Sequence, residues 1–140
     1  MKTRKKSRST IEVILFMAFL LFSLGSYAQS DEWVAPANVA KRPNPFKGDA
    51  KAPEKGKKIY EKLCVTCHGS SGKGDGPTAA TLDPKPADHT SAEFQLQGDG
   101  AIYWKLSTGR GVMPAFQDLL SKTERWQLTA YIRSLGENND

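Results

Sequence analysis

Apolar positions fall into one long run and three periodic stretches. The run, Val13 to Leu24, follows a basic, polar segment from Met1 to Thr10. The periodic stretches carry the three- and four-residue spacing of a helix with one buried face. Gly56, Ile59, Tyr60 and Leu63 predict a first helix over about 53–63, with Pro53 as its first helical residue. Ile102, Tyr103 and Leu106 predict a helix over 99–108, with Asp99 as N-cap and Gly109 as stop. Leu128, Tyr131, Ile132 and Leu135 predict a last helix running to about 135, before Gly136. It opens on the capping box Ser121-Lys122-Thr123-Glu124. Shorter helical turns are expected at 78–82 and, behind Thr90-Ser91-Ala92-Glu93, up to Leu96. No βαβ pattern is visible.

Between these elements lie stretches of proline and glycine. Residues 29–52 form an extended arm, punctuated by Pro36, Pro43 and Pro45. Trp33, Val34 and Phe46 either lay this arm on the domain, the preferred reading, or serve as a docking sequence for a partner. Gly69 to Pro77 is a glycine-rich loop. It lacks the spacing and the preceding strand of a phosphate-binding loop, so it is read as backbone passing close to a flat group. Asp83 to Asp88, with Pro84 and Pro86, is again extended.

Charge changes the picture of the two ends. The formal balance is +5, but five basic residues against one acid lie before residue 29. The chain from Gln29 onward is nearly neutral and makes no case for nucleic-acid binding. Basic start, short apolar run and small residues up to Ala28 together read as a secretory signal over 1–28, cut after Ala28. The run is short for a span, which needs about 20 apolar residues; an uncleaved anchor is the alternative. No cysteine follows closely enough for a lipid anchor. The remainder, 53–138, is one small domain, short enough that a large apolar cofactor would supply much of its core.

The chemistry concentrates in Cys64-Val65-Thr66-Cys67-His68. Two cysteines three apart, with a histidine directly after the second, are the attachment sequence for haem c. Each thiol adds across one haem vinyl group, and His68 supplies an axial nitrogen to the iron. The rival readings are a redox dithiol and half a zinc site. The first lacks its strand. The second lacks ligands, because the chain holds no other cysteine and only one other histidine, His89. His89, in a loop before a short helix, reads as an exposed or hydrogen-bonded residue rather than a ligand.

Met113 is the one methionine after the apolar run. A lone methionine is usually core filler. Here it stands in a loop, Gly109-Arg110-Gly111-Val112-Met113-Pro114, where the glycines let the backbone turn and the proline stiffens it. It is therefore expected as the second axial ligand, and His/Met ligation raises the reduction potential.

These residues resemble the class I cytochromes c of bacteria. The resemblance covers about Pro53 to Gly136 and rests on the Cys64–His68 motif, Gly56 with Tyr60, Met113-Pro114, and the last helix with Leu128 and Tyr131. It implies an all-α fold in which first and last helices cross near a right angle, Gly56 against Tyr131, around covalent haem. It implies that the Pro77 carbonyl accepts the Nδ1 proton of His68, fixing the ligand's tautomer. It implies haem-propionate partners among Tyr103, Trp104 and Arg110, whose plain alternatives are packing and solvation. His89 stands where many relatives carry an aromatic.

The expected function is a periplasmic single-electron carrier between respiratory redox proteins. No catalytic residue is expected. Lys62, Lys73, Lys85 and Lys105 are candidates for steering an acidic partner, with solvated surface as the plain reading. Two alternatives remain: a cytochrome subunit of a larger membrane or periplasmic oxidoreductase, and a haem enzyme or gas sensor with a labile distal ligand.

Overall fold

The structure is a computed structural model that describes residues 33–137. The expected signal over 1–28 lies outside the described residues. Among the described residues six α-helices and a 3-10 turn follow in order: α1 (Ala37–Ala40), α2 (Lys51–Leu63), α3 (Val65–His68), the 3-10 turn Ala79–Thr81, α4 (Ala92–Gln95), α5 (Asp99–Thr108) and α6 (Lys122–Glu137). Among the described residues the only sheet-like pairing is a bridge between Arg110 and Met113. The fold is all-α, as the periodicity and the resemblance required.

The main contact is that of α2 with α6. It depends on Gly56, where a Cβ would overlap the Gln127 carbonyl and lie 2.8 Å from Tyr131 Cβ. A glycine inside a helix costs roughly 1 kcal/mol relative to alanine, and here the missing side chain permits the close approach. Beside it a single core gathers Tyr60, Cys64, Ile102, Leu106, Phe116, Leu120, Leu128, Ile132 and Leu135.

The ends of the helices differ from expectation in instructive ways. α2 begins two residues early because the Asp49 side chain accepts from Lys51 N–H at 2.9 Å. Its buried face is Ala52, Gly56 and Tyr60, so Leu63, expected on it, is 39% exposed. α5 is N-capped by Gly98, not Asp99. The Asp99 carboxylate is taken up elsewhere: it accepts from Arg133 Nε at 2.6 Å and from Asn44 N–H at 3.3 Å. At α4 the cap is Ser91, whose hydroxyl accepts from Phe94 N–H, one residue beyond the expected Thr90. The box on α6 forms as read, Glu124 accepting from Ser121 N–H at 2.8 Å and Ser121 Oγ from Glu124 N–H at 3.2 Å. Gly136 does not end α6, which continues through Glu137.

The stretch expected as an extended arm contains α1, and this packs on α5. Asn44, buried, donates through Nδ2 to the Trp126 carbonyl at 2.9 Å and accepts from Phe46 N–H at 2.9 Å. Around Asn44 this stretch is therefore fastened to α5 and α6 by specific hydrogen bonds.

Candidate functional site

The Cys64–His68 segment continues directly from α2. Cys64 N–H donates to the Tyr60 carbonyl at 2.9 Å, and the Cys64 carbonyl then accepts from Cys67 N–H and His68 N–H, at 3.1 and 2.8 Å. This backbone turn carries both thiols and the imidazole on one short helix. Both cysteines are free thiols, Cys64 buried and Cys67 half-buried. Burial, with the nearby Cys67, pushes the Cys64 thiol up to about 12. Thr78 Oγ1 donates to the Thr66 carbonyl at 2.9 Å and lies 3.4 Å from Cys67 Sγ.

The glycine-rich loop folds back onto α3. Gly74, Gly76 and Thr78 N–H donate to the carbonyls of His68, Cys67 and Thr66 at 2.9, 3.1 and 3.1 Å. The last carbonyls of a helix have no partner within it; here the loop supplies them.

His68 Nδ1 is 3.1 Å from the Ala87 carbonyl. A carbonyl only accepts, so Nδ1 carries the proton and Nε2 keeps its lone pair. Burial holds His68 below its ordinary value, against the opposing effect of that hydrogen bond. The acceptor is thus Ala87 rather than Pro77, the residue the resemblance implied. Pro77 follows the Gly76 N–H that serves Cys67, in a loop occupied with the helix end; the 83–88 stretch supplies the carbonyl instead.

His89, two residues on, is buried at 5% exposure. Its ring stacks on His68 with centroids 4.2 Å apart and planes 18° from parallel, and its Nδ1 is 3.2 Å from the Tyr60 hydroxyl. Burial, then the neighbouring His68, lowers it to about 3, so this imidazole is neutral.

Met113 is half-buried against the same core as Cys64. Arg110 and Met113 exchange two backbone hydrogen bonds, N–H to carbonyl at 2.9 and 3.0 Å. At Gly109, φ is +61°, and a Cβ would lie 2.5 Å from the Met113 carbonyl and the Ala115 nitrogen. Only glycine accommodates both that dihedral and that approach. Phe116 N–H donates to the Leu106 carbonyl at 2.9 Å, tying the loop to α5.

Of the expected propionate partners, Tyr103 is stacked on Trp126 with centroids 4.1 Å apart. The Arg125 guanidinium lies 5.0 Å from the Tyr103 ring centroid. Trp104 is half-buried on α5, and Arg110 is exposed beside the Met113 loop. Arg125 escaped the sequence reading: it is buried, and Nη1 donates to Ser107 Oγ at 2.6 Å. Its place three before Leu128 was the available signal. Ala87 left none, because the functional atom is a backbone carbonyl.

The residues present fit haem c. Two free thiols flank one helical turn, the adjoining histidine has its Nε2 lone pair free for a metal, and a thioether sits in a stiffened loop against the same core. Among the described residues no group of three or more His, Cys, Asp or Glu is placed to hold a metal ion, the arrangement a structural zinc requires.

Comparison with known proteins agrees. Residues 51–132 match the family model for cytochrome c oxidase, cbb3-type, subunit III. The chain is 37% identical over 91 residues to the cbb3-type cytochrome c oxidase subunit FixP of Azorhizobium caulinodans, covering 64% of this chain and 29% of that protein. It is 30% identical over 98 residues to cytochrome c6 of Picosynechococcus, covering 67% of this chain and 80% of that one. A chain of the reducing HAO-like protein complex Kustc0457/Kustc0458 of Kuenenia stuttgartiensis superposes with a TM-score of 0.57 at 33% identity, over 88% of this chain and 57% of that chain. The match thus spans under a third of the length of FixP. The chain belongs to the cbb3-type cytochrome c oxidase subunit III family, as a class I monohaem cytochrome c domain with covalent haem c.

Proposed function

We propose that this protein is an exported single-electron carrier whose haem is bonded through Cys64 and Cys67 and ligated axially by His68 and Met113. The observation that carries the reading is that the Cys64 end of the motif and the Met113 loop border one core, with His68 Nδ1 committed to Ala87. Haem c supplies the one-electron chemistry, its iron alternating between Fe(II) and Fe(III). The chain's part is to keep the surroundings constant between the two states. Ala87 fixes the His68 tautomer and strengthens it as a donor. Gly109 and the Arg110–Met113 bridge hold the thioether in a loop with little freedom. Tyr60, Leu106, Phe116 and Leu128 exclude water from the core.

The test is an absorption spectrum of the reduced holoprotein before and after addition of carbon monoxide. A low-spin spectrum indifferent to carbon monoxide supports two firm axial ligands and a carrier. A shifted Soret band transfers the reading to a gas-binding or catalytic haem.

Cellular placement rests on the sequence reading of 1–28 as a signal, which puts the protein in the periplasm. Among the described residues no helix is long and apolar enough to cross a membrane. The mass of the protein recovered from cells tests cleavage after Ala28.

The second reading is a subunit of a larger oxidoreductase, favoured by relatives that are themselves named as oxidase subunits. Gel filtration of the protein extracted from its native cells separates the two. A carrier elutes as a monomer of the mature chain, below the 15.4 kDa of the full 140 residues, a subunit with its complex.

A further inference from the structure

The segment 87–89 touches His68 twice. Ala87 meets the edge of the imidazole, accepting from Nδ1 at 3.1 Å. His89 covers its face, stacked at 4.2 Å and 18°. Two such contacts, one in the ring plane and one across it, leave His68 little rotation about its own axis.

His89 is itself held from every side. Its backbone N–H donates to the Gly72 carbonyl at 2.7 Å. Its carbonyl accepts from Gln95 Nε2 at 2.6 Å, and the same amide reaches the Ile132 carbonyl at 3.0 Å. Phe94 lies against the ring at 4.7 Å between centroids. Its Nδ1 pairs with the Tyr60 hydroxyl at 3.2 Å, and Tyr60 is fully buried. A buried hydroxyl needs a partner, so the pair is reciprocal: Tyr60 sets the turn of the His89 ring, and His89 satisfies Tyr60. A plain aromatic at 89 would stack on His68 but give Tyr60 nothing to bond.

We propose that His89, oriented by Tyr60, is a positioning residue that fixes the plane of the His68 imidazole and thereby tunes the haem iron. The proposal rests on the reading of His68 as an axial ligand. In a low-spin ferric haem, the orientation of the axial imidazole plane governs how unpaired spin is distributed over the macrocycle. A reoriented ligand thus has a spectroscopic signature that a loss of packing alone does not produce.

The experiment uses the holoprotein and three variants: His89→Phe, which keeps a ring and loses Nδ1; Tyr60→Phe, which keeps the ring and loses the hydroxyl; and the double variant. Proton NMR of the oxidised form reads the order and spread of the haem methyl shifts. Redox titration reads the midpoint potential, and thermal melting serves as a stability control. The expected result is that each single variant alters the methyl pattern and displaces the midpoint, and that the double variant adds little to either. Methyl pattern and midpoint equal to wild type in the variants that fold, whatever happens to melting, would overturn the proposal and leave His89 a core residue. His68→Ala is run beside them: retention of the wild-type low-spin spectrum there would remove His68 from the iron, which is the failure of the underlying reading and separable from the first.

Discussion

Gly56 and Tyr131 meet where α2 packs on α6, a Cβ on the glycine falling 2.8 Å from that of the tyrosine. The neighbour that overlaps it is the Gln127 carbonyl, part of a helix backbone and unable to swing aside. Gly56→Ala gains about 1 kcal/mol of helix propensity, yet overpacking costs about 1–3 kcal/mol. We expect a net loss of stability, growing in Gly56→Val. Denaturant titration of the holoprotein checks it, and an alanine variant as stable as wild type would show that the helices part easily.

Met113→Leu keeps an apolar side chain of similar volume and deletes the thioether. The packing contribution should change by less than about 1.5 kcal/mol, while the reduced protein gains a carbon monoxide response and its midpoint falls, because His/Met ligation raises potential. An unchanged spectrum under carbon monoxide would remove Met113 from the metal.

Asn44 fastens the segment before α2 to α5 and α6. Asn44→Ala removes the donor to Trp126 and the acceptor for Phe46 N–H, and should cost about 1–3 kcal/mol through the groups left unpaired. Hydrogen exchange should rise over 34–50 with the haem spectrum unaltered. Altered exchange at His68 instead would mean that the segment supports the haem directly.

The Ser121–Glu124 box predicts an acid-side effect. Hydrogen bonds from the Ser121 hydroxyl and N–H hold the Glu124 carboxyl below its ordinary value. A depressed folded-state value means stability that is present above the unfolded value and lost as pH falls through the folded one. Glu124→Gln should therefore be less stable than wild type at pH 6, and the gap should narrow as pH falls below the ordinary glutamate value of about 4.3. Melting curves across that range decide it, and a gap independent of pH would exclude the carboxylate's charge as the cause.

Much of this protein is written in local chemistry. The Cys64–His68 spacing, the Ser121 box and the proline-stiffened Met113 loop each follow from the residues that form them, whereas Gly56 against Tyr131 is a long-range contact that the resemblance implied. The departures from expectation share a cause. Asp99 has the neighbourhood of a cap, but Arg133, 34 positions away, competes for its carboxylate. A proline is the expected acceptor for His68, yet any residue has a carbonyl, so only the path of the 83–88 stretch identifies Ala87. His89 has the sequence surroundings of a loop residue because its partners, Tyr60 and His68, lie far back in the chain. Local patterns name the elements; the long-range contacts decide which polar atoms they share.

Cys64 has one more implication, for how the protein matures. Its thiol is 7% exposed within the core, and burial suppresses the thiolate that reacts. Once the helices have closed, the chain hides its own attachment point. We expect haem to be joined before the helices close, and a chain folded first without haem to react poorly when haem is added afterwards. Assembly then runs in one direction: bonding first, closure second, with the finished core sealing in the group it was built around.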